Sequence, residues 1–530
     1  MKPMTRRELA LLISRSVAAA PALALSSGIA EPDKLLALDD SDGTRATESG
    51  APVYVVLWFD TEDYILPASD DAAKRIANFL IAHGIRATFK VVGEKARVLQ
   101  ARNRSDVILA LSQHEIGYHS NTHSQQPTIA VYEAPLGWDE GAEEFDRRER
   151  GGFDDVYRIF GYAPTCFGQP GVSWAPQAYP ALKKWGVCVY LDDGQHVQLD
   201  GRPFWYGGLL NIFGIAAGRE LEPNEDWSNL ESAKSYFRQL YTQLRSQPVG
   251  GLVSFMFHPT QFVSQAFWDA ANFAQGANPP SSQWKRQPER SPSQQDQAYR
   301  YFEDLIVFMK SFENVRFITA SQAYSLYRDE AHLRNYGHDD LAEITRHVSS
   351  RIDFQVYDRY ALSASEVFAL LNSYVAAVVT NKITSPITLH GTPYGPSSAG
   401  YGLESGQLHD VPWNQFSRTV LDVQDYLEKN LSIPSVIWLG TSALNPESYL
   451  LALSTISRLS LDNSPVLERV SIVPAELVSK QSVAKDSVAI WDWPIFPAGF
   501  HAPHLMELAS LQAWTLKPAI LHSVGSSEDI

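Results

Sequence analysis

The run Tyr54-Val-Val-Leu-Trp-Phe-Asp60-Thr-Glu62-Asp63-Tyr64 constrains this chain more than any other stretch. Six apolar, strand-forming residues give way to three carboxylates within four positions. An unbroken apolar run of this kind suits a parallel strand buried on both faces. The C-terminal ends of such strands are where α/β sheets gather their reactive groups. Three acids so close repel one another, so they need a cation, a shared proton or open solvent. The segment His119-Ser-Asn-Thr-His123, at the end of another short strand, adds two imidazoles four residues apart. Carboxylates with two such histidines form a ligand set for a divalent metal.

Around these motifs the sequence alternates strand and helix. Ile76, Phe79, Leu80 and His83 share one helical face, and Gly84 supplies a left-handed stop. Ile85 to Val92 reads as the next strand, which makes a right-handed βαβ unit. Val107 to Gln113 reads as a helix and Glu115 to His119 as the strand that delivers the histidines. The charges from Asp139 to Arg150 predict a solvated helix on the outside. Gln169-Pro170-Gly171 is a turn, and the strand Val187 to Leu191 runs into Asp192-Asp193. Leu230, Ala233, Phe237, Leu240, Tyr241 and Leu244 mark an amphipathic helix. Leu252 to Phe257 is a buried strand that ends in His258-Pro259, and residues 270–296 read as a loop overhanging the same end. Val315 to Ile318 is the last strand of the series, and Thr319 caps the helix after it. Such alternation over residues 51–328 predicts a parallel α/β sheet or barrel.

The order Phe59-Asp60-Thr-Glu62-Asp63, His119-Ser-Asn-Thr-His123, Gly168-Gln-Pro170-Gly171 and Phe255-Met-Phe-His258 resembles the polysaccharide deacetylases of carbohydrate esterase family 4, the NodB-homology domain. The resemblance covers about half the chain. It implies a distorted (β/α) barrel with fewer than eight strands and a metal-dependent hydrolase acting on N-acetylated sugars, with zinc as the expected ion. It also implies Asp60 as base, His258 as acid, and His119 and His123 as ligands with either Glu62 or Asp63. Gln169, Pro170 and Asp192 are then expected beside the polysaccharide substrate. Two departures stand out: Asp60 is separated from the next acid, and Gly168 occupies the position of the family's base-orienting arginine. They keep open hydrolysis of another C–N bond, or a catalytically silent glycan-binding protein.

At 530 residues the chain exceeds one core, and a formal net charge of −16 disfavours nucleic acid and anionic membranes as partners. Lys2, Arg6 and Arg7 followed by apolar residues to about Ala30 predict an export signal, with a twin-arginine-like Thr5-Arg6-Arg7, and hence a periplasmic or secreted protein. Residues 31–50 read as a linker, and no later stretch is apolar enough to span a membrane. Cys166 and Cys188 are either bridged or two buried thiols. Residues 329–360 read as a linker or exposed helix, and 361–530 as a mainly helical accessory domain that somewhat resembles wall-binding modules. Ser363-Ala-Ser-Glu366 is a capping box, and Asn445-Pro446 opens a comparable helix. Trp491, Trp493 and Trp514 are read as packing residues, with sugar stacking as the alternative.

Overall fold

The computed structural model describes residues 50–192, 194–213, 221–382, 386–400, 410–465 and 467–522. The expected export signal, all of the 31–50 linker except Gly50, and Asp193 lie outside them. The main sheet is built from β1 (Val53–Thr61), β2 (Thr88–Val91), β3 (Glu115–Tyr118), β4 (Cys166–Phe167), β5 (Val189–Asp192), β6 (Phe204–Tyr206), β7 (Leu209–Phe213), β8 (Gly251–Phe257) and β9 (Val315–Ile318). A tenth strand, Lys517–Pro518, comes from the C-terminal end. The order runs Lys517–Pro518, β6, β7, β5, β4, β3, β2, β1, β8. β1 pairs with β9 through Val53 to Val56 and with β2 through Trp58 to Thr61. Pairing from β1 to β5 and onto β7 is parallel, while β6 and Lys517–Pro518 are antiparallel.

Every residue of β1 is buried, as its apolar run requires. Alternation sends Val53, Val55, Leu57 and Phe59 outward against the helices Ala68–Ala82, Leu230–Arg245 and Pro292–Lys310. Tyr54, Val56 and Trp58 point inward, into a cluster with Cys166, Leu191, Trp205 and Leu210. The helix Ala320–Leu326 fills that inner face; its first amides donate to Thr88 Oγ1 and to the Glu115 carboxylate. The result is a distorted (β/α) barrel left open between β8 and Lys517–Pro518. Thr319 and Gly84 (φ 68°) do what their residue types predict. The charged segment is the helix Trp138–Phe160. Cys166 and Cys188 are free thiols.

The second half is mainly helical. Ser363 caps Ala364–Val379 and Asn445 caps Pro446–Leu461, while Trp413–Asn430 follows Pro412 without a side-chain cap. Their apolar faces join one continuous core with the outer face of the barrel. Residues 329–360 contain the helix His338–His347 and several short strands. Trp491 and Trp514 are buried packing residues. Among the described residues no helix is long and apolar enough to cross a membrane.

One polar node ties the 329–360 segment to the helical half. Lys517 Nζ, 1% exposed, lies 2.7 Å from Asp329 Oδ2 and 2.8 Å from Glu366 Oε2. His332 Nε2 and Thr392 Oγ1 meet Glu366 Oε1 at 2.8 Å and 2.6 Å. Asp329, His332 and Glu366 are near enough to share an ion, but the Lys517 ammonium already sits among them. Burial raises the Glu366 pKa, and Lys517 with His332 overcomes this and holds it below the usual carboxylate range. Its stabilisation is therefore present above the ordinary carboxylate pKa and lost as pH falls below it. Lys517→Met strands a buried charge and is expected to destabilise the fold by about 3–5 kcal/mol, measured by urea unfolding.

Candidate metal and catalytic site

The C-terminal ends of β1, β3, β4, β5 and β8 converge on one rim. Asp60 is in phase with the inward-facing Tyr54, Val56 and Trp58, and Glu62 continues that phase. His119 follows β3 directly. Ser120 and His123 take left-handed backbone conformations (φ 66° and 56°), and His123 N donates to Ser120 Oγ at 3.1 Å. This tight loop returns His123 to the face where His119 lies. Such conformations are costly for residues with a side chain, and they cluster where geometry matters for function.

Each histidine is fixed through Nδ1. His119 Nδ1 donates to Gly168 O at 2.8 Å. His123 Nδ1 meets Ser124 Oγ at 2.6 Å, and Ser124 donates to Asp269 Oδ2 at 3.0 Å. Both Nε2 atoms are thereby left as lone-pair donors facing the site. His123 Nε2 lies 2.7 Å and His119 Nε2 3.4 Å from Glu62 Oε2. Neither Nε2 is aligned for a hydrogen bond, although both are buried. The other Glu62 oxygen accepts from Trp268 Nε1 at 2.8 Å. Burial lowers the His123 pKa to about 4 and raises that of Glu62 to about 7. Two neutral imidazoles whose Nε2 atoms have no hydrogen-bond partner, with one Glu62 oxygen beside them, converge on a common point and fit a divalent cation.

Asp63, the other carboxylate assigned to the metal from sequence, is placed elsewhere. Its Oδ1 accepts from Ile65 N and Leu66 N at 2.9 Å and 3.0 Å, and its Oδ2 from Thr260 Oγ1 at 2.6 Å. It holds the turn after β1 against the helix Pro259–Val263, because residue 63 is out of phase with 60 and 62. Asp63→Ala is expected to leave metal content unchanged and cost about 1–3 kcal/mol of stability, read by metal analysis and thermal unfolding.

Asp60 sits at the centre, 5% exposed. Its Oδ1 lies 3.7 Å from His119 Nε2 and 3.0 Å from Lys90 Nζ, and its Oδ2 lies 3.6 Å from His258 Nε2. Burial raises its pKa, but His119, Lys90 and His258 together overcome that and lower it to about 2. Lys90 is fully buried; its contact with Asp60 is an ion pair, and its hydrogen bonds go to Asp192 Oδ2 at 3.1 Å and to Leu191 O at 2.8 Å. Asp192, expected beside the substrate, is thus engaged with Lys90. Gln169 and Pro170 are buried in the turn after β4. Trp493 lies over that turn, 2.8 Å from where a Cβ on Gly171 would be. Trp493 Nε1 donates to Asp269 Oδ2 at 3.0 Å. Its ring meets Phe267 edge-on at 5.2 Å, and Phe267 meets His258 edge-on at 5.1 Å.

Sequence reasoning missed Lys90, Trp268 and Asp269. Only Lys90 carried a signal, as a lysine inside a buried parallel strand.

No family model and no curated protein matches this chain. Among solved structures it is similar to a protein assigned as a polysaccharide deacetylase in Mycobacterium smegmatis, with 15% identity over 53% of this chain and 92% of that one (TM-score 0.35). It is also similar to a family 4 acetyl xylan esterase from Clostridium thermocellum in complex with a cobalt ion, with 16% identity over 52% and 91% of the two chains (TM-score 0.29). A family 4 pseudoenzyme from Bacillus anthracis matches with 12% identity over 51% and 64% (TM-score 0.27). At TM-scores this low the likeness carries no argument, and the assignment of the fold comes from this chain's own strand order and packing.

Proposed function

We propose that this protein is a metal-dependent hydrolase that removes N-acetyl groups from a cell-wall or matrix polysaccharide. The observation that carries this reading is the convergence of Glu62, His119 and His123 on one point, with Asp60 between them and His258. A bound divalent ion, zinc by the nature of the donors, would acidify a water and polarise the acyl oxygen. Asp60 is ionised and accepts the proton of the attacking water. His258, which approaches Asp60 Oδ2 while His119 approaches Oδ1, donates a proton to the departing amine. The C–N bond breaks, the water oxygen stays on the acyl carbon, and acetate and a free amine leave. An export signal on residues 1–30 would bring the enzyme to such a polymer outside the cytoplasm, and its helical second half is the surface available for wall association.

One observation favours a second reading on the same chemistry. Asp60, Glu62, His119, His123 and His258 are each at most 7% exposed, with Phe267 against His258 and Trp493 beyond it. Enclosure of this kind suits a chain end or another small amide better than the interior of a long glycan.

The test is metal content of the purified protein together with acetate release from N-acetylglucosamine and its oligomers. One bound ion with acetate released from oligomers supports the polysaccharide reading. Turnover of the monomer or of simple amides in preference supports the second. Absence of metal even after its addition leaves a silent glycan-binding protein.

A further inference from the structure

Lys90 stands in the middle of a buried strand, and the chain makes room for it at two places. A Cβ on Gly117 would lie 3.0 Å from Lys90 Cγ and 2.4 Å from Cys166 Sγ. A Cβ on Gly168 would lie 2.0 Å from Lys90 Nζ and 2.6 Å from both Asp192 Oδ2 and Leu191 O. Neither glycine has a left-handed φ, so close approach and not backbone conformation excludes a side chain there. The ammonium delivered through this gap sits 3.0 Å from Asp60 Oδ1, 3.1 Å from Asp192 Oδ2 and 4.1 Å from the centre of the Trp58 ring. One cation from β2 thus joins carboxylates at the ends of β1 and β5. Two bare carboxylates at that depth would repel each other and remain unsolvated.

We propose that Lys90 is the positioning residue for Asp60: by holding Oδ1 it keeps this carboxylate out of the metal's ligand set and leaves Oδ2 free for proton transfer. The inference rests on the reading of Asp60 as base and supplies what that reading lacks. Asp60 Oδ1 is only 3.7 Å from His119 Nε2, near enough for Asp60 to become a fourth protein ligand. Lys90 separates the two jobs, with Glu62 as ligand and Asp60 as base. It also accounts for Gly168: the cation that meets the base arrives from β2, through space that a side chain on β4 would occupy.

The experiment compares the wild type with Lys90→Met and with the Lys90→Met/Asp192→Asn double variant. The double variant removes one charge of each sign and so guards against unfolding. Each is loaded with cobalt(II), and its visible spectrum is recorded beside kcat and KM for acetate release. The expected result is a weaker, higher-coordinate cobalt spectrum, kcat lower by about 10²–10³-fold, and KM changed by less than about threefold. Gly168→Ala, which displaces the ammonium without removing it, should reproduce the effect and add nothing to Lys90→Met. A variant with the wild-type spectrum and kcat overturns the role of Lys90. If wild type takes up cobalt but releases no acetate, the deacetylase reading fails, and the spectra alone decide whether Lys90 keeps Asp60 off the metal. A wild type that takes up no cobalt overturns the metal site and the proposed role together.

Discussion

His119→Ala is expected to fold normally and to lose more than about a hundredfold in metal affinity, since even the loss of a ligand's hydrogen-bond partner costs 10–100-fold. Turnover should fall to background, because the ion supplies several kcal/mol of transition-state stabilisation. The specificity of the result follows from the geometry. His119 contributes Nε2 to the three-atom cluster with Glu62 and His123, while its Nδ1 bonds Gly168 O. Alanine removes both the donor and the tie between β3 and β4, but it opens space at the rim and not in the apolar core. Metal analysis with circular dichroism checks this. Unchanged metal content at unchanged fold would remove His119 from the ligand set.

Asp60→Asn should retain the metal and lose about 10²–10⁴-fold in kcat, the usual contribution of a positioned general base. Asparagine keeps the shape of the side chain but cannot accept the water's proton. Lys90 keeps its bonds to Asp192 and Leu191 O, so the cation remains paired. Measured together, metal content and kcat separate this result from that for His119→Ala. Loss of metal in Asp60→Asn would make Asp60 a ligand and leave the base to be sought elsewhere.

The two carboxylates that sequence left unresolved, Glu62 and Asp63, show what a linear reading lacks. Strand alternation extended two residues beyond Asp60 favours Glu62, since 60 and 62 share a face and 63 does not. Whether a chain stays extended past the strand end is set by its neighbours. Here Thr260, from the helix after β8, takes the Asp63 carboxylate and fixes the turn. Lys90 presents the opposite case. Its position within an apolar strand was visible, but its partners were not, because Asp60 meets it from the neighbouring β1 and Asp192 only once the curled sheet brings β5, three strands away, toward β2.

The sequence alone determined the local elements, their order and the chemical types at their ends. Apolar runs, helical periodicity and caps are properties of neighbouring residues, so β1, the helix Leu230–Arg245 and the caps at Thr319 and Ser363 are legible directly. The tertiary structure decided which of those end groups share a site and in what state. It brought Trp493 from the far end of the chain onto Asp269, bonded Lys517 to Glu366, and threaded Lys90 past two glycines to Asp60. Those outcomes depend on burial and on distances of about 3 Å between residues far apart in sequence, and both arise only when strands and helices pack.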